Sequence, residues 1–150
     1  MYGISHRGAG MYARLGTETA AHCASPHQLI AMLFDGAACA IAMARHQMVR
    51  KNIKAKGESI AKAVDIVSNG LQATLDPAAA GAEGEALVGN LAELYGYIVR
   101  RLTYANLHND MAALEESARL LENVASAWCK IDPSRRPAAA SDPVLMAAAA

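Results

Sequence analysis

Aromatic residues make up only 5% of this 150-residue chain: one Trp, one Phe and five Tyr. A β-sandwich or barrel fills its core with β-branched and aromatic side chains, so this scarcity argues against both. Net charge is missing too, with 14 basic residues against 14 acidic ones. A nucleic-acid binder needs a basic surface to neutralise phosphates, and a polybasic membrane anchor needs the same; neither fits. The short basic groups (Arg50, Lys51, Lys54 and Lys56; Arg100 and Arg101; Arg135 and Arg136) read as solvated helix faces and a polar tail. No apolar run approaches the roughly 18 residues of a membrane span. The first ten residues carry His6 and Arg7 but no apolar stretch, so no secretory signal is expected and the chain is expected to stay in the cytoplasm.

The motifs of common chemistry are also missing. Cys23, Cys39 and Cys129 are odd in number and lack CxxC spacing. They fit a reducing compartment and packing as small hydrophobes. No phosphate loop, dinucleotide fingerprint, nucleophile elbow or zinc-protease helix occurs. A di-iron bundle needs inward Glu-x-x-His pairs, and there are none. His22, Cys23 and His27 are close in sequence but read as exposed groups, and Glu115 and Glu116 as ordinary surface charge. No acid, base and nucleophile come together, so neither an enzyme nor a cofactor or metal site is expected.

What is present is helix. Apolar residues reach 53%, with about a fifth of the chain alanine, the best helix former. Residues 1–24 carry four glycines without period and read as a flexible arm. Ser25-Pro26-His27-Gln28 reads as a capping box with a proline start. Leu29, Ile30, Leu33, Phe34, Ala37, Ile41, Ala44 and Met48 follow at spacings of three and four, predicting a first helix over 26–50. A second runs over 53–75 on Ile60, Val64, Val67, Leu71 and Leu75. Gly70 interrupts it at a cost of about 1 kcal/mol relative to Ala, which suits a close packing point or a mere weak spot.

Asp76-Pro77 stops the second helix, and 77–84 has no large apolar side chain and reads as a mobile loop. The third helix, 85–107, carries two stripes: Leu87, Leu91, Leu94, Ile98 and Ala105, and beside them Val88, Ala92, Tyr95, Val99 and Leu102. One buried face needs about three apolar positions in seven. The third helix therefore either touches several neighbours or keeps one stripe for a partner. The fourth runs over 110–131 with Met111, Leu114, Ala118, Leu121, Val124 or Ala125, and Trp128 inward, and Asp132-Pro133 ends it. Residues 133–150, rich in Pro, Ala, Ser and Arg, read as a disordered tail. The fold class is therefore all-α, an antiparallel up-down four-helix bundle over 25–132.

Ser25-Pro-His-Gln-Leu-Ile-Ala-Met-Leu-Phe-Asp-Gly36 resembles the opening of the first helix of the flagellar secretion chaperone family, FliS. Matches continue in order through Ala55-Lys-Gly-Glu58, Asn69-Gly-Leu71, Asn90-Leu91, Glu93-Leu-Tyr95, Arg100-Arg-Leu102, Ala105-Asn-Leu107, Asn109-Asp110 and Ala127-Trp128. Tyr12 matches a tyrosine of the family's N-terminal arm. The chain departs from the pattern in a longer 77–84 loop, a blurred Gly-Gly-Glu start of the third helix, and Gly96 between two tyrosines.

The resemblance implies a non-enzymatic chaperone without cofactors. It implies that flagellin is held through its C-terminal segment, kept unpolymerised in the cytoplasm and delivered to the flagellar export gate. In parts of the family the anti-sigma factor FlgM is a further partner. Candidate client-binding residues are Ala63, Ile66, Val88, Leu91, Tyr95 and Val99 on the second and third helices, with Leu29 and Leu33 at one end. Asn90 and Asn106 are candidates to bond an incoming backbone, and Tyr12 is a candidate to dock over the groove. For each apolar candidate a place in the bundle core is the competing reading. The alternative function is a structural or self-associating bundle without a client.

Overall fold

A computed structural model describes residues 23–132; residues 1–22, with Tyr12, and 133–150 lie outside them. Four helices follow in order: α1 Pro26–Val49, α2 Ile53–Asp65, α3 Pro77–His108 and α4 Met111–Lys130. The described residues contain no strand. Cross-contacts fix the antiparallel order. Leu33 of α1 meets Gly70 beyond the end of α2. Lys56 near the start of α2 meets Asn106 near the end of α3. Arg101 of α3 meets Glu116 of α4, and His27 of α1 meets Trp128 of α4.

Each helix starts where its sequence satisfies orphan amides. The Ser25 side chain accepts from the Gln28 amide at 3.2 Å, and the Gln28 carboxamide accepts from the Ser25 amide at 2.9 Å. The side chains of Asn52, Asp76 and Asp110 cap α2, α3 and α4. Pro26 and Pro77 occupy first turns, where no amide is needed. Asn109 closes α3 in the left-handed region, φ 49°.

Two segments differ from expectation. The second helix keeps its extent but changes winding: a π-helix over Ile66–Leu71 and a 3₁₀ turn over Gln72–Thr74 follow α2. A Cβ on Gly70 would sit 3.1 Å from Leu33 Cδ2, so the glycine marks close packing. The segment 77–84, read as a loop, is helical from Pro77 and breaks only at Gly81, φ 71°. Asp76 caps it through the amides of Ala78 and Ala79, and three alanines favour the turn.

The core runs through Phe34, Ala37, Ile41 and Ala44, Ile60, Val67 and Leu71, Ile98, Leu102 and Ala105, and Leu114 and Leu121. On α3 the buried positions are Tyr95, Ile98, Leu102 and Ala105, a seam between the two stripes. Leu87, expected in the core stripe, is 61% exposed because it lies a full two turns before the first buried position. The three cysteines are free and exposed rather than packed: Cys23 precedes α1, and Cys39 and Cys129 lie off the core seams of α1 and α4.

Candidate protein-binding surfaces

The predicted residues divide into core and edge. Ala63 and Tyr95 are core, with Tyr95 only 3% exposed. Burial puts both on the side of the competing reading, a place in the bundle core, and pushes the Tyr95 phenol up to about 12. Leu29 is 39% exposed at the start of α1. Leu33 and Ile66 are half-buried where α1 meets the π-helix. Ile66 Cδ1 lies 3.4 Å from the position a Cβ on Gly36 would take, and Leu33 lies over Gly70. Two glycines thus let α1 and the π-helix approach, while Leu33 and Ile66 stay at the seam's edge.

On α3, Val88, Leu91 and Val99 are half-buried and Asn90 is exposed. Asn106 is half-buried, and its carbonyl already accepts from Lys56 Nζ at 2.9 Å. Asn90 and Asn106 lie 16 residues apart on one helix, about 24 Å along its axis, so the structure does not bring them together.

Sequence reading missed a groove of about 690 Å³ between α1 and α4. None of the predicted residues among the described ones lines it. Its floor mixes Phe34, Ile41 and Leu121 with the small Ala38, Ala42 and Ala118. Asp35 and Glu122 stand on its rim, and an Arg45–Glu115 ion pair at 3.1 Å crosses toward one end. The signal lay in the alanines of α1 that fall off the core stripe. They also make Pro26–Val49 long and apolar enough, by length and composition, to cross a membrane, correcting the expectation that no run would qualify. Only 28% of that window is buried, so α1 carries two apolar faces, one in the core and one along the groove.

The polar groups also depart from expectation. Glu116 is a junction: it accepts from the Tyr97 hydroxyl and from Arg101 Nε, each at 2.7 Å. The Tyr97 bond and then Arg101 hold its carboxyl below the usual range. The Arg101 guanidinium also lies 5.3 Å over the Tyr104 ring. His27, read as an exposed imidazole, is half-buried against Trp128. Among the described residues no group of three or more His, Cys, Asp or Glu is placed to hold a metal ion.

Comparison with known proteins agrees with this architecture. The family model of flagellar protein FliS matches residues 8–135. The flagellar secretion chaperone FliS of Salmonella typhimurium is 48% identical over 126 residues, 84% of this chain and 90% of that protein. The protein of the same name in Escherichia coli is 43% identical over 122 residues, 81% of this chain and 87% of that protein. Flagellar secretion chaperone FliSB of Pseudomonas aeruginosa is 39% identical over 117 residues, 78% of this chain and 89% of that protein. With a match across the whole bundle and relatives of this identity, the chain belongs to the flagellar secretion chaperone FliS family.

Proposed function

We propose that this chain binds the C-terminal segment of flagellin along an apolar helix-lined surface, holds it unpolymerised in the cytoplasm and releases it to the flagellar export gate. Membership in a secretion-chaperone family supports a client of the flagellum. The observation that carries the reading is the seam of α1 and the π-helix. There, Leu33 and Ile66 remain half-buried beside the exposed Leu29 on a bundle that already has a filled core. π-Helical turns recur at functional sites because they displace side chains from the regular helical row. Val88, Leu91 and Val99 on α3 extend the surface, with Asn90 as a backbone partner.

The physics suits a reversible holder. An apolar segment that is disordered alone pays its ordering entropy on binding, which lowers affinity per unit area. A long surface with several shallow seats therefore grips without trapping. Calorimetric titration with the C-terminal segment of flagellin from the same genome tests the proposal. Saturable binding with a gain of helical circular dichroism is expected. Leu29→Asp and Ile66→Asp each weaken it tenfold or more while the bundle stays folded. Absence of binding by the unmodified chain returns the reading to a structural bundle without a client.

A further inference from the structure

We propose that the groove between α1 and α4 is the seat of residues 143–150 of this same chain, docked as a short fifth helix. This surface is separate from the α1 and π-helix seam, and its occupant is independent of flagellin.

The groove has the form of a helix seat. Ala38 and Ala42 are one turn apart on α1, and Ala118 faces them from α4. Small side chains on both walls let a third backbone come close, while Phe34, Ile41 and Leu121 supply an apolar floor. From Leu114 to Ala125 the α4 wall is about 17 Å long at 1.5 Å per residue. The floor itself is buried core; the apolar surface left uncovered is that of Ala38, Ala42 and Val49, with Ala118 and Ala125 half-buried opposite. An apolar groove of this kind suits a docked helix.

The chain leaves the bundle beside it. α4 ends at Lys130, one and a half turns beyond Ala125. A shallower hollow along Ala125, Ser126 and Cys129 continues the groove to that end. The ten residues 133–142 reach about 33 Å when extended, several times the distance back to the groove.

Residues 143–150 match the seat in type and length. They read Pro-Val-Leu-Met-Ala-Ala-Ala-Ala, without charge. Asp142-Pro143 repeats the Asp76-Pro77 pair that starts α3. Eight helical residues span about 12 Å, within the groove's length. Val144 and Leu145 then lie on one face with Ala148 and Ala149, which matches an alanine-walled seat. Such a helix does not hold alone in water, so it needs a surface. The tether supplies an effective concentration near millimolar, so a weak contact suffices.

Charge agrees in sign. The linker carries Arg135 and Arg136. The rim carries Asp35 and Glu122, which have no ion-pair partner among the described residues.

Backbone NMR relaxation on the full chain tests the proposal, alongside two variants: the double substitution Leu145→Asp with Met146→Asp, and Ala42→Arg on the exposed groove wall. Docking gives amides 144–148 order parameters near 0.85, like those of α4, falling below about 0.6 in both variants. The methyl signals of Ala38 and Ala118 shift in the tail variant. Amides 144–148 below about 0.6 in the unmodified chain overturn the proposal. So does order that vanishes on dilution, which assigns the groove to a second copy. So do groove methyl signals that ignore the tail variant but move when residues 1–22 are removed, which assigns it to the N-terminal arm.

Discussion

His27 stacks on Trp128 with ring centroids 4.5 Å apart and planes 7° from parallel, and each residue bonds the other's backbone carbonyl. The Trp128 indole N–H donates to the His27 carbonyl at 3.0 Å. His27 Nε2 lies 2.8 Å from the Trp128 carbonyl, which only accepts, so that nitrogen carries the hydrogen. Residues 101 apart thus clasp the first turn of α1 to the last turn of α4.

Trp128→Ala is expected to cost about 3 kcal/mol, the lower part of the range for large aromatics because the ring is only half-buried. Trp128→Phe keeps a stacking ring but loses the indole donor, and is expected to cost about 1 kcal/mol. Urea unfolding measures both. Equal costs for the two variants would show that the ring adds nothing beyond its hydrogen bond.

Lys56 gives a second stability test. It is 2% exposed, and its ammonium donates to the Asn106 carbonyl and the Asn109 side chain at the end of α3. Two neutral acceptors hold this buried ammonium. Lys56→Met keeps most of the volume but leaves those acceptors unmet, and is expected to cost about 1–3 kcal/mol. Lys56→Ala adds a cavity and is expected to cost about 1–2 kcal/mol more. Denaturant midpoints that rank Ala above Met in stability would contradict this.

The pH profile should fall at both ends. Burial raises the Tyr95 phenol from 10.0 to about 12. The unfolded chain then loses that proton first as pH rises. The contribution is intact below pH 10 and is lost between about 10 and 12. Tyr97 moves the same way, chiefly through its bond to Glu116. Glu116 is held below 4.5, first by Tyr97 and then by Arg101. Its contribution is therefore present above 4.5 and is lost as pH falls through the lowered value. Thermal melts across pH should show the alkaline fall softened in Tyr95→Phe and the acid fall softened in Glu116→Gln.

The helices were legible because caps and periodicity are local signals. Ser25, Gln28 and the Asp76-Pro77 pair announce their roles within four residues of sequence. The π-helix was not legible, because no local pattern in Ile66–Leu71 marks the change of winding, and the approach of Gly70 to Leu33 within it joins segments far apart in the chain. Tyr95 was placed on a partner-facing stripe because periodicity gives an apolar arc but not its rotation about the helix axis. Neighbouring helices set that rotation, and they turned Tyr95 and Leu102 inward with Ile98. The α1 and α4 groove escaped notice for a related reason. Alanine scores as helix former and as core residue alike, and only the assembled bundle shows which alanines are left outside.

The arm around Tyr12 is expected to compete with the client for the α1 and π-helix seam. An apolar seam left open invites self-association, so a cover supplied by the chain itself is physically reasonable. Tyr12 lies in a glycine-rich stretch thirteen residues before Ser25, within reach of the α1 start. If the arm competes with flagellin, apparent affinity is reduced by the fraction of molecules whose seam is open. Deleting residues 1–16 should then raise affinity for the flagellin C-terminal segment, or speed its association, and make the free chain more prone to self-associate. Tyr12→Ala should reproduce part of the effect. Weaker binding with an unchanged fold would instead place Tyr12 on the client. Two aspartate substitutions serve as controls, and their outcomes differ because their burial differs. Ile66→Asp, at a half-buried edge, should weaken binding on a folded bundle, whereas Tyr95→Asp, at 3% exposure, should unfold it.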